Sequence, residues 1–236
     1  MDKDELLRYK EQFISLLKST SIPDIDAIIA DLEDMGFFTS PASMKNHLCF
    51  EGGLMIHSLN VYEAAIKIRD AFKASRPDVF ERISDESIII AALLHDLCKA
   101  GLYFRKKSAQ YEFGQAEYGS DYGRLPIGHG EKSVVMLMRL GIDLNDDEIC
   151  AIRWHMGAWS VASGDAEERG SFRKAQELYP LVTLIQLADT AAAQILERKY
   201  ERQNIDTSSR SVNKYPTTKY NSLDKDVLKS IWKTVV

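Results

Sequence analysis

Several features that define large classes of protein are scarce in this chain of 236 residues. It has three cysteines, Cys49, Cys98 and Cys150, with no Cys-x-x-Cys pair, and such a sparse, odd set is typical of a reducing compartment. The longest strongly apolar run, residues 88–94, is too short to cross a bilayer. The N-terminus carries acids where a signal peptide needs basic and then apolar residues. We therefore expect a cytoplasmic protein with no membrane partner.

An excess of positive charge is also absent, since the formal net charge is -5. A protein with this balance has no global field for holding a long nucleic-acid backbone, although a local basic patch could still grip one phosphate. Hydrophobic residues make up 45% and charged residues 28%, which is ordinary for a globular protein and argues against wholesale disorder.

Helical periodicity is the dominant pattern, and it predicts an all-α fold. Apolar spacing predicts a first helix over residues 6–17 and a second opened by Pro23. Further helices are predicted over residues 54–74, 84–99, 128–141, 145–157 and 181–200. Residues 103–127 and 159–170 are predicted as loops. The longer loop is rich in glycine, aromatic and charged residues and could contain a hairpin, and we expect it to lie at the mouth of a site and select the substrate.

The dipeptide His95-Asp96 follows seven consecutive apolar residues. An unpaired buried carboxylate is costly and is normally neutralised by a partner or a metal. Adjacent positions on a helix point about 100° apart, so this pair is not expected to grip one ion as residues one turn apart would. The remaining ligands should therefore come from other helices.

Those helices carry suitable side chains: His57, His129, His155 and Asp189. Asp189 is an isolated acid on an otherwise apolar helix, and His129 and His155 lie near the ends of theirs. Taken singly, each could be a packing, capping or ion-paired residue. Imidazole and carboxylate together suit Mn, Fe, Zn, Ni or Co better than Ca, so the joint pattern predicts a site for a divalent transition metal.

The order His…His-Asp…Asp over residues 47–195 resembles the HD superfamily of metal-dependent phosphohydrolases. The resemblance implies that one ion is held by His57, His95, Asp96 and Asp189. The chain also resembles members with two extra histidines between the His-Asp pair and the final Asp, which implies a second ion held by His129 and His155 with Asp96 as the bridge. The His-Asp-x-x-Lys form is also common in the family, and Lys99 fills its last position. His47 falls outside the pattern and is interpreted as structural or supporting.

The implied fold is an all-α HD-domain bundle, with a long loop between the His-Asp motif and the next histidine helix. We expect residues 1–46 to form N-terminal helices packed on the core and residues 47–200 to form the HD domain. Residues 201–236 are rich in Ser, Thr, Asn and Lys and are expected to form a polar linker and a short C-terminal helix.

The implied activity is metal-assisted hydrolysis of a phosphomonoester or phosphodiester in a nucleotide or short oligonucleotide. Asp96 and Lys99 are the candidate catalytic residues. The candidates for binding the substrate phosphate are Lys99, Arg105, Arg124, Lys132 and Arg153. Aromatic residues in the long loop favour a base as part of the substrate. Two alternatives stay open: a di-iron oxygenase of the same fold that acts on a small molecule, and a non-catalytic HD signalling module.

Overall fold

The computed structural model describes residues 2–106, 117–123, 125–161 and 165–198. Over these residues the fold is helical apart from one two-stranded antiparallel sheet, which confirms the all-α prediction. The helices are α1 (Lys3–Lys18), α2 (Ile25–Asp34), α3 (Gly53–Lys73), α4 (Pro77–Phe80), α5 (Asp85–Leu94), α6 (His129–Arg139), α7 (Asp146–Trp154), α8 (Ala166–Leu178) and α9 (Pro180–Ala191). The strands are β1 (Tyr103–Arg105) and β2 (Tyr118–Ser120).

Helix α5 lies at the centre of the bundle. Ser84 caps its N-terminus by accepting from the Ser87 backbone N–H, and every residue from Ile88 to Leu94 is buried. A helix that is apolar on all sides must be covered on all sides, and α1, α3, α7 and α9 pack against it. The N-terminal helices share this core, because Phe13 of α1 and Leu32 of α2 belong to the same hydrophobic cluster.

The helix boundaries depend on local capping. Asn145 accepts from the Glu148 backbone N–H while the Glu148 carboxylate accepts from the Asn145 N–H, so α7 begins with a capping box. Helix α2 begins at Ile25 rather than at the predicted Pro23, because Asp24 adopts a left-handed conformation with φ 52° between them. No helix among the described residues is long and apolar enough to span a membrane.

Three predicted boundaries are wrong near the histidines. Helix α5 ends at Leu94, and a 3-10 turn, Leu97–Lys99, replaces the predicted last turn. Helix α7 ends at Trp154 and is likewise followed by a 3-10 turn, Gly157–Ser160. Helix α9 gives way to a π-helical segment, Ala192–Leu196. After α7, Gly157 adopts a left-handed conformation with φ 56°, which a continuing α-helix does not allow.

Helix α8 occupies part of the predicted loop over residues 159–170. Asp165 caps it by accepting from the Glu168 backbone N–H, and Ala175 is its one fully buried residue. Its first five residues, Ala166 to Gly170, carry no large apolar side chain, so hydrophobic spacing did not reveal where it begins.

The loop between the His-Asp motif and α6 contains two paired strands, in agreement with the hairpin that the sequence allowed there. Tyr103 of β1 pairs with Ser120 of β2, and Arg105 pairs with Tyr118. Residues 107–116 and Arg124 lie outside the described residues, as do the linker and last helix predicted over 201–236.

Candidate metal centre

Two helix ends present histidines to the same site in the same way. His95 and His155 each follow directly after the last residue of a helix, α5 and α7. Each ring donates from Nδ1 to the carbonyl three residues earlier, His95 to Ala92 at 2.9 Å and His155 to Ile152 at 2.7 Å. Since a carbonyl can only accept, Nδ1 carries a proton and Nε2 is the ring nitrogen that faces the site. Both Nε2 atoms are buried and have no hydrogen-bond partner among the described residues.

Asp96 lies at the centre of the cluster, and its side chain is 2% exposed. Its Oδ1 lies 2.5 Å from His129 Nε2 and 3.5 Å from His155 Nε2. Its Oδ2 lies 2.6 Å from Lys99 Nζ, 3.3 Å from His95 Nε2 and 3.6 Å from His57 Nε2. Burial alone would raise the pKa of Asp96, but Lys99, His95 and His129 hold it well below its usual range. The carboxylate is therefore ionised, and its two oxygens face different histidines.

The closeness of His95 and Asp96 corrects one expectation. Helical geometry predicted that adjacent residues would point too far apart to share an ion. Asp96 instead has φ -104° and ψ 21°, outside the helical region, because α5 has already ended. His95, Asp96 and His155 consequently form a group whose possible ligand atoms lie within 4.8 Å of one another.

His57 and Asp189 complete this side of the cluster from helices α3 and α9. His57 Nε2 lies 3.1 Å from Asp189 Oδ1, and His57 Nδ1 lies 3.0 Å from Glu197 Oε1. Burial alone would lower the pKa of His57, but the two carboxylates outweigh it and raise that pKa to about 9. Burial likewise opposes ionisation of Asp189, and the hydrogen bond from His57 keeps its pKa below the usual value.

The donor set fits a divalent transition metal. Three overlapping groups have their possible ligand atoms within 4.8 Å of one another, and together they contain all six predicted ligands: His57, His95 and Asp189; His95, Asp96 and His155; Asp96, Cys98 and His129. Ions of this kind bind imidazole nitrogens such as Nε2 of His95 and His155, and a backbone carbonyl on the other ring nitrogen holds each ring in place. Burial also lowers the pKa of His95, which keeps this ring neutral.

Lys99 joins the cluster from the 3-10 turn after Asp96. Its side chain is 13% exposed and its Nζ lies 2.6 Å from Asp96 Oδ2. Burial alone would lower the pKa of Lys99, but Asp96 raises it above the ordinary lysine value. The site thus contains a permanent positive charge beside the carboxylate.

The other predicted phosphate-binding cations that the structure describes have protein partners of their own. Arg105 on β1 pairs with Glu117 at 2.5 Å, and its side chain is 74% exposed. Lys132 donates to the Tyr122 carbonyl at 3.1 Å. The guanidinium of Arg153 pairs with Glu131 and Glu168 and stacks on the Trp154 ring. Arg153 therefore ties α6, α7 and α8 together.

Two residues that the sequence analysis did not assign to the site border it. The carboxylate of Glu197 is 1% exposed and contacts His57, and His47 Nε2 lies 3.8 Å from Glu197 Oε2. Cys98 Sγ lies 3.2 Å from His129 Nδ1, and burial, with Asp96 nearby, raises the pKa of the thiol to about 12. Nothing in the sequence distinguishes Glu197 from a solvated acid at a helix end.

Comparison with known proteins places the cluster in context. The sequence profile of the HD domain family matches residues 54–194, a range that contains the six predicted ligands. The dihydroneopterin 2′,3′-cyclic phosphate phosphodiesterase of Methanocaldococcus jannaschii is 33% identical over 112 residues, which are 47% of this chain. The alignment spans 41% of that relative, so the chain covers about two fifths of its length. No solved structure gives a significant match.

Proposed function

The chain belongs to the HD-domain family, and on that premise we propose that it is a metal-dependent phosphohydrolase. Its substrate is a phosphomonoester or phosphodiester of a small, nucleotide-like molecule. The observation that carries this proposal is the position of Asp96, whose Oδ1 faces His129 and His155 while its Oδ2 faces His57 and His95.

This division of the carboxylate supports two neighbouring ion sites. The first would be held by His57, His95, Asp96 and Asp189, and the second by Asp96, His129 and His155. The chemistry supplied by bound divalent ions is activation of water at neutral pH and neutralisation of charge on phosphoryl oxygens. Asp96 belongs to both sites, so its removal should disable both.

Lys99 has two roles in this proposal. Its ammonium group holds the Asp96 carboxylate in place through the contact at 2.6 Å. It also adds a point charge that attracts the substrate phosphate. Arg105, Lys132 and Arg153 would have to leave their present partners to contact a phosphate, and Arg124 lies outside the described residues.

The nucleotide-like character of the substrate rests on aromatic surface and on the relative. Trp159 and Tyr122 are 90% and 67% exposed, and both lie within a few residues of proposed ligands or their helices. Exposed aromatic faces stack on flat heteroaromatic rings. The archaeal relative acts on a 2′,3′-cyclic phosphate that carries a pterin ring. We therefore propose a heteroaromatic ring joined through a sugar-like chain to a phosphate ester.

A substrate screen tests the activity. Protein loaded with Mn, Fe, Zn, Ni or Co should hydrolyse at least one phosphate ester. The esters to be tested are 2′,3′-cyclic nucleotides, 3′,5′-cyclic nucleotides, nucleoside monophosphates and bis(p-nitrophenyl) phosphate. Asp96→Asn should lower that rate to background with an unchanged helical circular-dichroism spectrum. Asp70→Asn, an exposed site on α3, is the matched control and should behave as wild type. Oxygen uptake by the Fe-loaded protein with no ester hydrolysis would overturn the proposal in favour of the oxygenase.

Elemental analysis tests the two-ion arrangement separately. His57→Ala should lose the first ion, and His129→Ala should lose only the second. Equal metal content in wild type and both variants would show that these histidines are not ligands.

A further inference from the structure

We infer that Glu197 is a positioning residue of the metal centre, which holds His57 in the tautomer and orientation that leave Nε2 to the ion. The inference rests on the proposed function and assigns a role to a residue outside the ligand pattern. The match to the family profile ends at residue 194, three positions before Glu197.

Hydrogen bonding establishes the tautomer. Glu197 Oε1 and Oε2 lie 3.0 and 3.1 Å from His57 Nδ1. An ionised carboxylate can only accept, so the proton remains on Nδ1 and the ion must bind through Nε2. That nitrogen lies 3.1 Å from Asp189 and 3.6 Å from Asp96, among the other proposed ligand atoms.

The burial of Glu197 calls for a functional explanation. Its side chain is 1% exposed, and a buried carboxylate is unfavourable unless it is paired and hydrogen-bonded. Among the described residues, its carboxylate contacts three side chains of this site: His57, Asn60, which donates to Oε1 at 3.0 Å, and His47. Asn60 lies one turn after His57 on α3, so the same helix supplies both the ring and a donor that orients the carboxylate.

The backbone after α9 brings Glu197 to this position. Asp189 and Glu197 are eight residues apart, and eight residues of regular α-helix turn through about 800°, which leaves them about 80° out of line. The intervening segment Ala192–Leu196 is π-helical, and its wider turns rotate less per residue. The result is that Asp189 contacts one nitrogen of the His57 ring and Glu197 the other.

A competing interpretation is that His47, His57 and Glu197 themselves hold an ion, since their possible ligand atoms lie within 4.8 Å of one another. Such an ion would need His57 Nδ1 as a ligand. The ring could then also bind the first ion through Nε2 only if both of its nitrogens lost their protons. Glu197 would in that case have no N–H group from which to accept a hydrogen bond. The positioning role requires no such species.

Metal affinity is the direct test, because a carboxylate behind a ligating histidine typically contributes 10- to 100-fold to affinity. Zn²⁺ binding is measured by competition with a chromophoric chelator at pH 9, at which protons compete with the ion less than at neutral pH. Glu197→Ala should bind the first ion about 10- to 100-fold more weakly. Glu197→Gln should lie between this variant and wild type, because its amide oxygen still accepts from Nδ1 but carries no charge. Glu177→Ala, an exposed glutamate on α8, is the matched control and should bind as wild type.

A spectroscopic measurement separates positioning from general stability. Nitrogen-15 NMR of the Zn-loaded protein should show His57 protonated at Nδ1, assigned by its loss in His57→Ala, and this signal should broaden or shift in both Glu197 variants. If Glu197→Ala fails to fold by circular dichroism, the isosteric Glu197→Gln carries the test.

The outcomes distinguish this inference from the proposed function. Wild-type affinity in Glu197→Gln and Glu197→Ala, with affinity lost in His57→Ala, would overturn the positioning role and leave the metal centre intact. Wild-type affinity in His57→Ala as well would remove the proposed metal centre itself. A third ion in the wild type that disappears in His47→Ala would overturn the positioning role in favour of a separate site.

Discussion

Individual side chains in the cluster differ in how ready they are to bind an ion. His95 and His155 each keep a proton on Nδ1 through a backbone carbonyl, and their Nε2 atoms have no competing hydrogen bond among the described residues. His57 differs, because Asp189 and Glu197 stabilise its protonated form. Metal binding must therefore displace a proton from His57 but not from His95.

This difference predicts a pH dependence of metal affinity. The pKa of His57 is raised to about 9 in the metal-free protein, so below that pH a proton occupies the nitrogen that the ion needs. We expect the apparent affinity of the first site to rise with pH, by about tenfold per unit where one proton is displaced, and to level off above about pH 9. Chelator competition between pH 6 and pH 10 measures it. A flat profile would mean that His57 is not a ligand.

Lys99 should contribute to catalysis through its hydrogen bond to Asp96. Lys99→Ala removes a charge-assisted hydrogen bond to Asp96, and we expect kcat/KM to fall by about 10- to 100-fold, the usual worth of such a bond. A rise in KM alone would indicate uniform phosphate binding, and a fall in kcat alone would indicate action in the transition state. Lys67→Ala, at an exposed position of α3, serves as the control. An unchanged kcat/KM would show that Lys99 has no role in catalysis.

At the scale of elements, the site depends on close approach between helix ends. A methyl group at Gly130 would lie 2.2 Å from the Arg153 carbonyl oxygen, so α6 and α7 can meet there only because residue 130 is glycine. His129 is the preceding residue, and its distance to Asp96 depends on this contact. The N-terminus of α6 is therefore held against α7 where the second ion is proposed.

Substitution at this contact should weaken one ion site selectively. Gly130→Ala forces α6 away from α7, and we expect a loss of about 1 to 3 kcal/mol in the free energy of unfolding together with weaker binding of the second ion. The first ion should be retained. Thermal unfolding and metal titration together measure both effects.

Gly170 provides the matched control for this substitution. It lies within α8 with open space around the added methyl group, so Gly170→Ala should be neutral or stabilise the protein by up to about 1 kcal/mol. Unaltered stability and second-site affinity in Gly130→Ala would show that the helices can separate without affecting the cluster.

At the scale of the whole molecule, the ions should link distant parts of the chain. The proposed ligands come from α3, α6, α9 and the segments after α5 and α7, so binding can occur only when these elements are packed. Ligands that bind only the folded state stabilise it by mass action. Metal binding should therefore contribute to folding stability as well as to catalysis.

Metal removal tests this coupling. At an ion concentration of about 100 times the Kd, binding adds about 2.7 kcal/mol, which corresponds to a Tm higher by about 5 to 10 °C in a chain of this size. A chelator should reverse that gain in wild type and have no effect on Asp96→Asn. A chelator-induced loss of the same size in Asp96→Asn would mean that the ion binds elsewhere.

The sequence by itself determined the elements with strong patterns. Helices α1, α3 and α5 bury an apolar face or their whole circumference, and hydrophobic spacing reports such burial directly. The capping box of α7 can be predicted from sequence because its two residues, Asn145 and Glu148, lie within one helical turn of each other. The six candidate ligands were also proposed from the sequence: a buried His-Asp pair is costly unless it is used, and the order of the histidines and acids resembles the HD superfamily.

Only the tertiary structure decided where these helices end and what supports the ligands. Hydrophobic spacing predicted a helix as far as residue 99, whereas α5 ends at Leu94 and Asp96, with φ -104° and ψ 21°, lies close to the other histidines. The pairing of Glu197 with His57 joins residues 140 positions apart through a π-helical segment that has no sequence signature. Local patterns report burial and short-range hydrogen bonds. Contacts between distant segments depend on how the helices pack together, and the sequence of one segment does not contain that information.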